Sequence, residues 1–440
     1  MTRLAGTWAA AAALLMAVPA AASDTGEPPA LDLVRSLTRV QDRIVAGDRE
    51  ALAMQGRLLT LADEAIGTIP PSDVHHENNV KALIAYGLSG GNPNTLDRQL
   101  KVLGEDDHLA VLGRGLVAYM RGQHEEAIRD LAPFDAMAMD PEIGAPLALL
   151  QGSLQVHEHP DEALALFDKA RLLAPGTIVE ESALRRSIAE HVRLGDTQAF
   201  LDTARRYAQR FIRSPYGDQF AAYFANGTVA LHDAVDMDAI AEVAGLMPPQ
   251  YRQAIYVRIA REAALHGLAE LASFAITHAI PVDGEAGAVS PMPVAEERRL
   301  SFYGILSTIT SDDPETVRTR LGSVEPGALP PEDRDLLAAG KAMADALLKT
   351  ASVNSDEGGQ ASHTMDGVDQ EPGEAKAGDL VPVEEDSASQ DHAISVAQPS
   401  GHDSVAEAPK ADDFSALDTR MADWKKRIER ADKTLVESSE

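Results

Sequence analysis

Gly87-Leu88-Ser89-Gly90-Gly91 is the first string in the chain whose residue types and spacing suit a reaction. The form G-x-S-x-G builds a nucleophile elbow when a serine sits on a strained turn between a strand and a helix. Here the preceding residues 80–86 have helical rather than strand character, and the glycines fall where a helix C-cap and loop belong. Ser89 therefore reads as a loop residue, and a hydrolase built on it is rejected. The clustered histidines, His75-His76 and His157-Glu158-His159, lack the i, i+4 spacing that puts two imidazoles on one helical face. They read as solvated loops. No glycine-rich phosphate loop follows a strand, so the expectation is a protein with no catalytic residues, no cofactor and no bound metal, and hence not an enzyme.

Two other groups of residues point to binding rather than chemistry. Residues 205–216 carry four arginines and three aromatics in an otherwise acidic chain, with Arg210, Arg213 and Tyr216 the candidates for contact with a partner protein. The alternative is that these arginines pair with Glu180, Glu181 or Glu190 on a neighbouring helix. Phe414, Leu417, Met421, Trp424, Ile428 and Leu435 form an a/d seam over residues 414–437, flanked by six basic residues from Arg420 to Lys433. A helix this short is marginal alone in water, so it needs something to lie against: either a partner protein or the chain's own groove.

The elements that must position these residues are helical hairpins. Elbows recur at Gly47-Asp48, Gly91-Asn92, Gly122-Gln123, His159-Pro160, Gly195-Asp196, near Asp233 and at Gly267, and those at 122, 159 and 195 lie 37 and 36 residues apart. Each elbow separates two stretches of helical apolar spacing, such as 112–119 with 125–131 and 147–156 with 162–173. One hairpin cannot bury its apolar face alone, so the units must stack into a TPR-like repeat superhelix, an all-α fold. Composition agrees, because 45% of residues are apolar but only 4% aromatic, and the apolar content is mostly Ala and Leu. The array is expected over residues 31–350, with a loop over 281–293, helices over 294–309 and 332–348, and the last of these as a terminal cap.

Composition changes at both ends. Arg3 followed by the apolar run 8–18 and Pro19-Ala20-Ala21-Ala22 has the form of a cleaved secretory signal, residues 1–22. The run is about half the ~20 residues a membrane span needs, so no membrane insertion is expected after cleavage, and the periplasm is the expected location. Absence of cysteine excludes disulfides, Cys-ligated metals and N-terminal lipidation. Residues 351–413 hold 15 Asp or Glu against only Lys376 and Lys410, a composition that reads as a disordered acidic linker with a reach of about 45 Å. The net charge of −30 argues against nucleic acid or an anionic membrane as partner.

Several longer strings carry a family resemblance: Val34-Arg35-Ser36-Leu37 with Val40-Gln41-Asp42-Arg43-Ile44, Tyr86-Gly87-Leu88-Ser89-Gly90-Gly91-Asn92-Pro93, and Ala170-Arg171-Leu172-Leu173-Ala174-Pro175-Gly176-Thr177. Arg213-Ser214-Pro215-Tyr216 and Tyr256-Val257-Arg258-Ile259-Ala260-Arg261 extend it. Over residues 30–350 the chain resembles the MotC family, periplasmic motility proteins of rhizobia and related alphaproteobacteria. The resemblance implies a periplasmic accessory of the flagellar stator that engages the periplasmic part of MotB and is needed for rotation. The alternative is a periplasmic repeat scaffold for envelope or polysaccharide assembly.

Overall fold

The computed structural model describes residues 29–104, 107–281 and 292–357. Among these residues there are seventeen α-helices, two single-turn 3₁₀ segments and no strand. In chain order the helices are α1 Pro29–Val45, α2 Arg49–Gly67, α3 Glu77–Leu88, α4 Pro93–Leu103, α5 His108–Met120 and α6 His124–Leu131. There follow α7 Pro141–Gln155, α8 Pro160–Leu173, α9 Ile178–Leu194, α10 Thr197–Arg210, α11 Gly217–Ala230 and α12 Met237–Gly245. The last are α13 Pro249–Leu265, α14 Ala269–Ala279, α15 Val294–Ser307, α16 Pro314–Gly322 and α17 Pro331–Glu357. The protein is an all-α helical-hairpin superhelix, as the periodicity predicts.

The elbows form because the sequence both stops and restarts each helix there. Gly195 ends α9 in the left-handed conformation at φ +72°, and the next residue, Asp196, accepts the Ala199 N–H at 3.0 Å to open α10. Asp48 and Asp107 open α2 and α5 in the same way. At the second elbow the left-handed residue is Gly90, one position before the expected Gly91. Gly91 instead gives way to an aromatic ring: a Cβ there would stand 2.5 Å from Cε1 of Tyr86.

Hairpins α1–α2, α5–α6, α7–α8, α9–α10 and α13–α14 pack along their lengths, and α9, α11, α13 and α15 stack in succession. The apolar faces merge into two large cores rather than one. The first joins α1 through α8 and reaches Ala183 of α9; the second runs from α9 to α17 and includes Val45, the last residue of α1. A small cluster of Val40, Ile44 and Ala51 lies between α1 and α2. Thus α1 has its start in the first core and its end in the second.

Beyond the expected cap, α17 stays helical to Glu357, seven residues into the stretch read as linker. The first glycines after α16 and its 3₁₀ turn are Gly340, inside the helix, and Gly358-Gly359 beyond it, so nothing in residues 351–357 breaks the helix. The signal segment 1–22, the remainder of the linker to 413 and the seam 414–437 lie outside the described residues.

Candidate functional site

The candidate site is built by α1, and it begins with that helix's own face. Leu31, Val34, Leu37, Val40, Ile44 and Val45 are all at most 5% exposed, and so is the polar Gln41 at 2%. A buried amide must find a partner. Gln41 Nε2 donates to the Ser89 carbonyl at 3.1 Å, tying α1 to the end of α3. One residue on, Asp42 accepts the Ile178 N–H at 3.0 Å, which fixes α1 across the start of α9. The formal cap of α9, Thr177, makes no side-chain cap bond. Asp42 therefore caps α9 from a helix 136 residues away in sequence, satisfying one of the orphan amides a helix start exposes. Burial raises the Asp42 pKa above the usual carboxylate range, and the Ile178 amide offsets only part of that.

A third tie holds the N-terminal half of α1 to α7. Arg35 Nε meets Glu142 at 3.0 Å, and Lys81 of α3 reaches both Glu142, at 3.5 Å, and Asp140. The hydrogen bond from Lys81 holds the Asp140 carboxyl below its ordinary pKa. These pairs are half exposed, so each contributes little stability by itself. Their value is orientation: α1 is held in place over α3, α7 and α9.

Between α1 and these helices lies a cleft of about 590 Å³. Its floor is apolar, formed by Val34, Ala145, Leu149 and Val179, and its rim carries Arg35, Arg39, Arg185 and Arg186 against only Asp42 and Glu142. In a chain of charge −30 this is a local cationic pocket. Arg185 is occupied: it bonds Glu181 at 3.1 Å and Gln219 at 2.7 Å, and lies 4.9 Å over the Tyr216 ring. Burial alone would lower its pKa, but the Glu181 carboxylate holds it above the ordinary value. Arg39 and Arg186 have no carboxylate partner among the described residues, and Arg186 Nε is buried with no hydrogen bond.

The sequence grouped Arg210, Arg213 and Tyr216 as one contact surface, and the structure divides them. Arg210 pairs with Glu180 at 2.7 Å, the structural alternative foreseen for it. Glu181 takes Arg185 and the Tyr207 hydroxyl, at 2.7 Å, instead, while Glu190 takes Arg193. Tyr216 faces the α1 cleft. Arg213 is exposed, has no carboxylate partner among the described residues, and lines a second hollow of about 290 Å³ with Asp48, Asp218 and Tyr251. The first elbow closes on it: a Cβ on Gly47, at φ +98°, would stand 2.9 Å from the Arg213 Cβ and 3.3 Å from its carbonyl oxygen. The seam residues Phe414, Leu417, Met421, Trp424, Ile428 and Leu435 lie outside the described residues.

Sequence reasoning missed the cleft itself. Its one available signal was polar Gln41 and Asp42 within the apolar face of α1, which requires partners outside a plain hairpin. The G-x-S-x-G string proves to be part of that contact. Ser89 follows the last residue of α3, its hydroxyl donates to the Ala85 carbonyl at 2.8 Å, and its own carbonyl receives Gln41. No strand precedes it, so the elbow geometry of a hydrolase is not built. Among the described residues no group of His, Asp or Glu could hold a metal ion, and no helix is long and apolar enough to cross a membrane.

Comparison with known proteins adds the family. Residues 1–440 match the family described as "Chemotaxis protein MotC". A relative from Rhizobium meliloti (strain 1021), carrying that same description, is 33% identical over 330 residues, 75% of this chain and 75% of its own.

Proposed function

The chain belongs to the MotC chemotaxis-protein family, and from that premise we propose that it works in the periplasm as a binding component of the flagellar motor, engaging the periplasmic part of the stator protein MotB. The family relationship across the whole chain is the observation that carries this reading. A helical superhelix suits the role, since extended repeat surfaces bind other proteins. The exposed Arg213 beside Tyr251 supplies the arginine and aromatic types enriched at interface centres. The seam of Phe414, Leu417, Met421, Trp424, Ile428 and Leu435 is the second contact element, supplying an apolar helix face of the kind that seats in a partner's groove.

The test is genetic. A strain lacking the gene should assemble normal filaments and fail to swim, because a stator accessory acts on torque and not on filament assembly. Restoring the full chain should restore swimming. Loss of filaments, or unimpaired swimming in the deletion strain, would contradict the motor role.

A further inference from the structure

The α1 cleft holds two cations that the described chain leaves without counter-charge. Arg186 has its Nε buried and unbonded, and Arg39 stands exposed on the opposite wall. An unsatisfied buried guanidinium donor costs free energy that an incoming acceptor would recover. Between them the floor is apolar, and Pro146, inside α7, leaves the Glu142 carbonyl without its usual helical donor. The pocket is therefore complementary to an extended peptide with small apolar residues beside carboxylates and with backbone N–H groups to give.

The chain itself contains such a peptide. Residues 379–386 read Asp-Leu-Val-Pro-Val-Glu-Glu-Asp: four apolar residues in a row, then three consecutive acids. Elsewhere between 358 and 413 the acids are spread among Gly, Ser and Ala without an adjoining apolar run of this size. Pro382 favours an extended backbone at the residue before it and so lowers the entropy of ordering the strip.

We propose that the α1 cleft is the docking site of the chain's own segment 379–386, with Leu380, Val381 and Val383 against the floor and Glu384, Glu385 and Asp386 facing Arg39 and Arg186. Chain length permits it. Asp333 of α17 bonds Arg261 of α13 and Arg299 of α15. Only α11 then separates that layer from α9, a path of about 30 Å at helix-packing distances. The rest of α17 adds at most about 36 Å. The 22 residues 358–379 span about 75 Å when extended, enough for the whole route. Docking covers the cationic cleft in the absence of any other acidic ligand, and it is independent of which motor protein the chain binds.

Because the chain has no cysteine, disulfide trapping in the full mature protein tests this directly. Val383→Cys is combined with Thr38→Cys, on the cleft wall, or with Thr319→Cys, exposed on α16 and closer to the tail in sequence. Mild oxidation should give an intramolecular bond at least about tenfold faster for the Thr38 pair, since docking raises the local concentration at the cleft. Arg39→Glu with Arg186→Glu should remove the preference; Arg39→Glu alone, at an exposed site that folding does not depend on, should weaken it. Glu384→Lys in the Arg39→Glu background should restore part of it. Equal rates for the two pairs, bonds formed only between separate chains, or indifference to all the charge reversals would each overturn the proposal.

Discussion

Two groups of arginines in this protein have opposite fates. In the second core Asp333, fully buried, accepts from Arg261 at 3.3 Å, Arg299 at 3.2 Å and the Tyr303 hydroxyl at 2.7 Å. Every member has a counter-charge or a hydrogen bond, and the group locks α13, α15 and α17 together. In the α1 cleft the cations outnumber the acids, and Arg39 and Arg186 have no carboxylate at all among the described residues. The difference separates structure from binding. Arginines that a fold needs are neutralised within it, whereas arginines left charged at the wall of a cleft are available to something that arrives later.

The sharpest way to break the comparison is to remove a carboxylate from one region and an arginine from the other. Asp333→Ala removes the one carboxylate that Arg261, Arg299 and the Tyr303 hydroxyl share, leaving them Glu262, Glu296 and each other, and should cost about 3 kcal/mol in a denaturant titration. Arg39→Ala should change stability by less than about 0.5 kcal/mol. Comparable losses would show that the cleft arginines are structural too.

Glycine at the first elbow offers a finer cut. Gly47→Ala must accept a left-handed backbone and a Cβ pressed against Arg213, and should cost about 2 kcal/mol or more. Gly195→Ala, left-handed but with open space around it, should cost only about 1 kcal/mol. The excess measures how firmly the first elbow seats on the start of the second core.

A smaller effect concerns Asp42. Burial raises its folded pKa above the unfolded value of 3.8, so its stabilising share is full below that value and fades as pH rises through the folded value. Asp42→Asn can still accept the Ile178 N–H but cannot ionise. The variant should lose less stability than the natural protein as pH climbs out of the ordinary carboxylate range. Parallel profiles would mean that Asp42 is not desolvated by the α1 bridge.

The hairpins were legible in the sequence because elbow chemistry and helical period are local: Gly195-Asp196 announces a stop and a start, and the 3.6-residue spacing of Val34, Leu37, Gln41 and Ile44 announces a buried face. What that face meets is not local. Nothing near Asp42 says that its amide partner lies at Ile178, so the bridge and the cleft beneath it became visible only in three dimensions. The same limit explains the 205–216 cluster. Its composition marked an unusual segment, but whether a side chain points to Glu180, to the cleft or to the second hollow depends on helix stacking, and Arg210, Tyr216 and Arg213 take one each.

Direct binding tests the central claim, that this superhelix serves the motor by holding a protein rather than by chemistry. Isothermal titration of the full chain with the periplasmic part of MotB, the proposed partner, should give saturable binding. Arg213→Ala should weaken it at least about tenfold, or ~1.4 kcal/mol, while leaving the thermal midpoint unchanged. No binding by the natural protein, or equal binding by the Arg213→Ala variant, would contradict the account.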